Sequence, residues 1–230
     1  MIPHTTIEIF GSDWWLGNIS TIAVIIAIIF FGKQSNHSTQ DKIAKLIGAI
    51  SLFRWIFIQL YSVYVDSWSL QSSLPLQMCS FSSLFCGIVM FYRKQEFYEF
   101  VYYMGIASAF HSLLTPEFTM GNEGYFFFDY YLNHGTIALV PLYLTLVMKF
   151  RPRKYSWYST FLFAQILLII AGITNWLIDA NYMYLCQKPI VNNPFVMGEW
   201  PWYILSLQFA GLLHFFLLYL PFSVFQNKDT

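Results

Sequence analysis

The chain has 230 residues, 57% of them apolar and only 10% charged, with a formal net charge of zero. So few charges cannot clothe the surface of a soluble domain. Apolar stretches recur at the length of about 20 residues that a spanning helix needs. The reading is therefore one integral membrane domain over residues 1–230: an all-α bundle of seven transmembrane helices. The first ten residues, MIPHTTIEIF, lack a basic n-region, so no cleavable leader is expected.

In chain order, helix 1 is predicted over 14–32, opened by Trp14 and Trp15, and helix 2 over 45–65, with Arg54 near its middle. Helix 3 is predicted over 74–92 and begins LPLQMCSFSS, which puts Gln77 and Cys79 in its opening turns. Helix 4 follows over 98–115, helix 5 over 129–149, helix 6 over 158–178 and helix 7 over 201–222. The connector at 179–200, rich in Asn and Pro, is the segment most suited to ordered non-helical structure. Tryptophans at the starts of helices 1 and 7 fit an interfacial belt. The EWPWY stretch also suits a lipid portal. Three scattered cysteines make neither a disulfide framework nor a zinc site, although one pairing stays open.

Lysine and arginine fix the expected orientation. Lys33, Lys42 and Lys45 follow helix 1, Arg93 and Lys94 follow helix 3, and Lys149, Arg151, Arg153 and Lys154 follow helix 5, with Lys228 in the tail. Ten of the twelve basic residues thus fall on one side, against Lys188 alone on the other. By the positive-inside rule the N-terminus is outside and the C-terminus cytoplasmic.

A polar group in the hydrocarbon needs a partner or a job. Counting from the predicted ends, Cys79, His111, His134 and Asn175 all fall roughly 5–8 Å below the outer boundary, one polar layer fed by four helices. A membrane cysteine is usually a small packing residue, and Cys86, deeper on the same helix, is read so. Beside an imidazole, however, a thiol becomes a nucleophile, and the N-terminus of helix 3 favours a thiolate at Cys79. Arg54 needs a buried partner. No acidic residue is predicted deep in any helix, so a carbonyl cluster, a lipid phosphate or a helix C-terminus is expected there. No set of His and carboxylates has metal-ligand spacing, and neither metal nor cofactor is expected.

The blocks LPLQMCSFSSLF, NHGTIALVPLYL, NWLIDANYMYLCQKP and GEWPWYIL resemble, in the same order, those of the YwaF-type bacterial integral membrane proteins. That group resembles in turn the eukaryotic transmembrane protein 164, a phospholipid acyltransferase with an active-site Cys and His. The resemblance implies a nucleophile at Cys79 and a base at His134, with membrane phospholipid as substrate and no nucleic-acid partner. It also implies a multi-pass protein of the bacterial plasma membrane.

The expected reaction is transfer of an acyl chain from an outer-leaflet phospholipid through a Cys79 thioester to a lipid acceptor. Gln77, His111, Asn175, Asn181 and Arg54 are the candidate substrate-binding residues: the first three as oxyanion donors, and Arg54 as a holder of the headgroup phosphate or only a brace of the bundle. Hydrolysis of the lipid ester, transacylation of a lipoprotein, and lipid binding without catalysis are the alternatives.

Overall fold

The computed structural model describes residues 4–191 and 193–226. Seven helices carry the architecture among them. They are α1 (Ser12–Gln34), α2 (His37–Tyr64), α3 (Met78–Phe91), α4, α5 (Tyr125–Leu146), α6 (Ser156–Ile178) and α7 (Trp202–Gln226). Helix α4 is continuous but composite: Gln95–Phe100, a π turn at Val101–Gly105, then Ile106–Leu114. Among the described residues, sheet is confined to a two-residue pair, β1 (Thr5–Thr6) antiparallel to β2 (Glu117–Phe118).

Four helices, α1, α2, α6 and most of α7, are long and apolar enough to cross a membrane. They present large apolar side chains outward, among them Phe30, Phe53, Ile169 and Phe209. Lipid rather than water suits such surfaces. The core lies along α5, whose Ile137, Val140, Tyr143 and Leu144 are fully buried. Pro141 sits inside that helix. It has no N–H, so the Ile137 carbonyl one turn back loses its helical donor. The Cys86 thiol approaches that carbonyl at 4.0 Å. Cys86 is thus a buried packing residue. All three cysteines are free.

Two helix starts differ from the sequence reading in ways that matter. Helix 3 was expected from residue 74 but begins at Met78, after Gln77 in an extended N-cap conformation. Pro75 accounts for this, since it cannot donate and drives Leu74 away from helical angles. Helix 5 was expected from residue 129 but begins one turn earlier, at Tyr125. That turn takes Asp129 out of the interface and into the protein, where it is buried.

The basic connectors meet at one end of the bundle. Arg93 pairs with Asp41, which also holds Lys45, and Arg153 grips the buried Glu99 carboxylate through Nη2 at 2.7 Å. At the opposite end, connectors descend among the helices. Non-helical backbone at such depth is tolerated where it packs on protein or lines a cavity. A cover at that end, built from residues 179–191 and 193–201, is tied down at several points. Asn175 accepts from Tyr182 N at 2.7 Å and donates to Tyr182 O at 2.9 Å. Tyr182 Oη then donates to Leu70 O, and Asn181 Oδ1 accepts from the backbone of Cys186 and Gln187. Glu117, also buried, accepts from His4 Nδ1 at 2.8 Å and from Ile190 N at 3.1 Å, joining the N-terminal strand to the same cover.

Candidate active site

Beneath this cover lies a cavity of about 430 Å³ between α2, α3, α4, α5, α6 and α7. Cys79 and His134 both line it. Cys79 is the second residue of α3. Because the helix starts at Met78, the amides of Met78 and Cys79 have no intrahelical acceptor and lie at the positive end of the helix dipole.

His134 is oriented by its own helix. Its Nδ1 lies 2.8 Å from the Tyr130 carbonyl. A carbonyl can only accept, so Nδ1 carries the proton and Nε2 holds the free lone pair. The Tyr130 ring packs on the imidazole at 4.2 Å between centroids, and its hydroxyl donates to Ser112 O at 2.8 Å. Ser112 Oγ in turn stands 3.5 Å from Cys79 Sγ. Cys79 is therefore hydrogen-bonded to Ser112 and not to His134 in this resting arrangement. Catalytic contacts often tighten only with substrate present.

Arg54 has a partner that the sequence reading did not find. Its Nε and Nη2 donate to the two Asp129 oxygens at 2.8 and 2.5 Å, and Nη1 donates to Asn133 Oδ1 at 2.6 Å. Such a bidentate pair neutralises the guanidinium charge. It also fixes the first turns of α5, where Asn133 directly precedes His134.

The remaining candidates divide. Gln77, His111 and Arg54 line the cavity. Gln77 Oε1 also accepts from Met183 N at 2.8 Å, which joins the start of α3 to the cover. Asn175 and Asn181 do not line it; both serve the cover, through the hydrogen bonds given above. The expected single layer is corrected accordingly. The cavity reaches α6 only from Phe161 to Leu168, and Asn175 lies a further two turns, about 10 Å, toward the end of that helix. Helix α6 continues past the cavity to the cover, where Asn175 holds Tyr182, so counting residues from helix ends misplaces Asn175.

Sequence reasoning missed Ser112, Tyr130, Asp129 and His214, all of which line the cavity. For His214 a signal existed: an ionisable residue midway along an apolar helix, in LLHFF. Tyr184 lines the cavity from the cover. Burial, with the Glu117 carboxylate nearby, holds its phenol above the usual range, so it stays a neutral donor.

The ensemble offers a thiol, an imidazole with a free lone pair, orphan amides at a helix start, and a mostly apolar chamber. Those are the parts of nucleophilic acyl transfer. No curated protein and no solved structure matches the chain. The sequence profile of the TMEM164 family matches residues 9–219, a span holding every cavity residue discussed above. The chain belongs to the TMEM164 family.

Proposed function

We propose that the protein is a membrane lipid acyltransferase in which Cys79 carries the acyl chain and His134 moves the protons. His134 Nε2 takes the thiol proton, and the sulfur attacks an ester carbonyl of a phospholipid. The amides of Met78 and Cys79, with the Gln77 side chain, face the developing oxyanion. The carbon–oxygen bond to glycerol breaks, and the imidazolium returns its proton to the departing lysolipid. In the second half a hydroxyl of an acceptor lipid gives its proton to His134 and attacks the thioester. Sulfur leaves as thiolate and is reprotonated.

The observation that carries this reading is the tautomer of His134. Its Nδ1–H is held by the Tyr130 carbonyl, so the nitrogen left over is a base, in the same cavity as the thiol. The test is the product pattern of purified protein with a labelled phospholipid and a lysolipid. Transfer yields a new acylated lipid along with lysolipid. Free fatty acid in its place would make the protein a hydrolase, and no turnover of lipid would leave a binding protein.

We place the basic end of the bundle in the cytoplasm of a bacterial cell and the cover on the outer side of its plasma membrane. The polarity of the connectors supports this. A tag after Thr230 should be protected in intact cells; a tag reached from outside would reverse the orientation.

A further inference from the structure

Two further imidazoles lie in the same cavity and have no part in the chemistry above. His111 on α4 and His214 on α7 face each other with ring centroids 5.0 Å apart. Phe195 of the cover meets both rings edge-on, at 5.1 and 5.2 Å. His214 Nδ1 is held by the Ala210 carbonyl at 2.6 Å, which leaves Nε2. Among the described residues, neither nitrogen of His111 has a hydrogen-bond partner. Close by in the same wall, Gln208 accepts from Gln165 at 2.9 Å through its oxygen. Its amide N–H groups remain without a protein acceptor among the described residues.

The charges around the cavity give this pair its meaning. Among the described residues, the lining groups able to carry positive charge are Arg54, His111, His134 and His214. Asp129 already neutralises Arg54, and His134 must keep a free lone pair to act as base. An anion brought into a mostly apolar chamber needs a charged hydrogen-bonding partner. The other titratable groups lining the chamber are Cys79 on α3, Tyr130 on α5, Glu117 after α4 and Tyr184 in the cover. None of these supplies positive charge. By elimination the two remaining imidazoles are the cation reserve.

We propose that the His111–His214 pair is the subsite for the phosphate group of the glycerophospholipid, one imidazole taking up a proton as the phosphate binds. The spacing along the chain suits this. Ser112, the neighbour of His111, touches Cys79, and in a glycerophospholipid the ester carbonyl and the phosphate are only a few bonds apart. The subsite rests on reading the cavity as a phospholipid site but not on the thioester.

The test uses Cys79→Ala protein in detergent, which cannot turn over, and measures retention of phosphatidylglycerol, of diacylglycerol with the same chains, and of inorganic phosphate. Phosphatidylglycerol should bind roughly tenfold tighter than diacylglycerol, the worth of one charge-assisted hydrogen bond. Adding His111→Gln and His214→Gln should erase the preference, while diacylglycerol still binds. Equal binding of the two lipids by the Cys79→Ala protein overturns the proposal without recourse to the histidine variants. So does a preference that survives their loss, or inorganic phosphate binding as tightly as the lipid. Lysolipid formed by the Cys79→Ala protein would count against the thioester alone, and the lipid preference is read separately from the intact lipid retained.

Discussion

Replacing Arg54 by alanine is expected to lower the stability of the detergent-solubilised protein by about 3–5 kcal/mol. The substitution strands the Asp129 carboxylate, which is buried beside α2 with both oxygens accepting from the guanidinium. Asp129→Leu alone should cost a similar amount, by leaving the arginine unpaired. The double variant Arg54→Met/Asp129→Leu should recover most of the loss, because the attraction of a buried pair is largely offset by the desolvation of its members. The coupling is read from the four proteins by denaturant or thermal unfolding. A loss below about 1 kcal/mol for Arg54→Ala would put the pair in the class of solvent-screened surface bridges. Catalysis should suffer as well, since the pair braces the turn of α5 that carries Tyr130 and His134.

Cys79→Ala is expected to reduce lysolipid formation to background, and His134→Ala to slow it by roughly 10²–10⁴-fold, the usual span for a general base. The two losses should not add, because thiol and imidazole act as one unit. The double variant should be no worse than Cys79→Ala. Folding should survive, since Cys79 is only partly buried and its replacement removes little volume. Cys86→Ala is the internal control. It removes a weak contact to the Ile137 carbonyl and should leave turnover largely intact. An active Cys79→Ala protein would return Cys79 to the role of a packing residue beside Ser112.

Much of this architecture was legible in the sequence. Seven apolar stretches have their counterparts in seven helices, because hydrocarbon demands both apolar faces and satisfied backbone. The basic connectors, well separated in the chain, gather at one end through pairs such as Arg93 with Asp41. Cys79, His134, Gln77, His111 and Arg54 share a cavity. Their depths along the chain hinted at it, although depth carries no information about which face of a helix points inward.

The errors trace to helix ends. A start of helix 5 at residue 129 leaves Asp129 at the helix end, whereas the start at Tyr125 buries it against Arg54. Counting depth from helix ends puts Asn175 with the thiol only if every helix ends at the same level. Helix α6 instead rises past the cavity to anchor Tyr182. Ser112 and Tyr130 carried no signal of their own. Their importance comes from two contacts across the fold, to Cys79 and to the Ser112 carbonyl. His214 is a single polar residue in an apolar helix, and its pairing with His111 comes from a contact across the fold.

The central claim is that Cys79 becomes acylated by a phospholipid. Its most direct test is the intact mass of the purified protein after incubation with a phospholipid of defined chains. A mass increase of one acyl group, removed by hydroxylamine and absent from Cys79→Ala protein, is the predicted result. An unmodified mass under conditions in which lysolipid accumulates would contradict it, as would an adduct that Cys79→Ala protein retains.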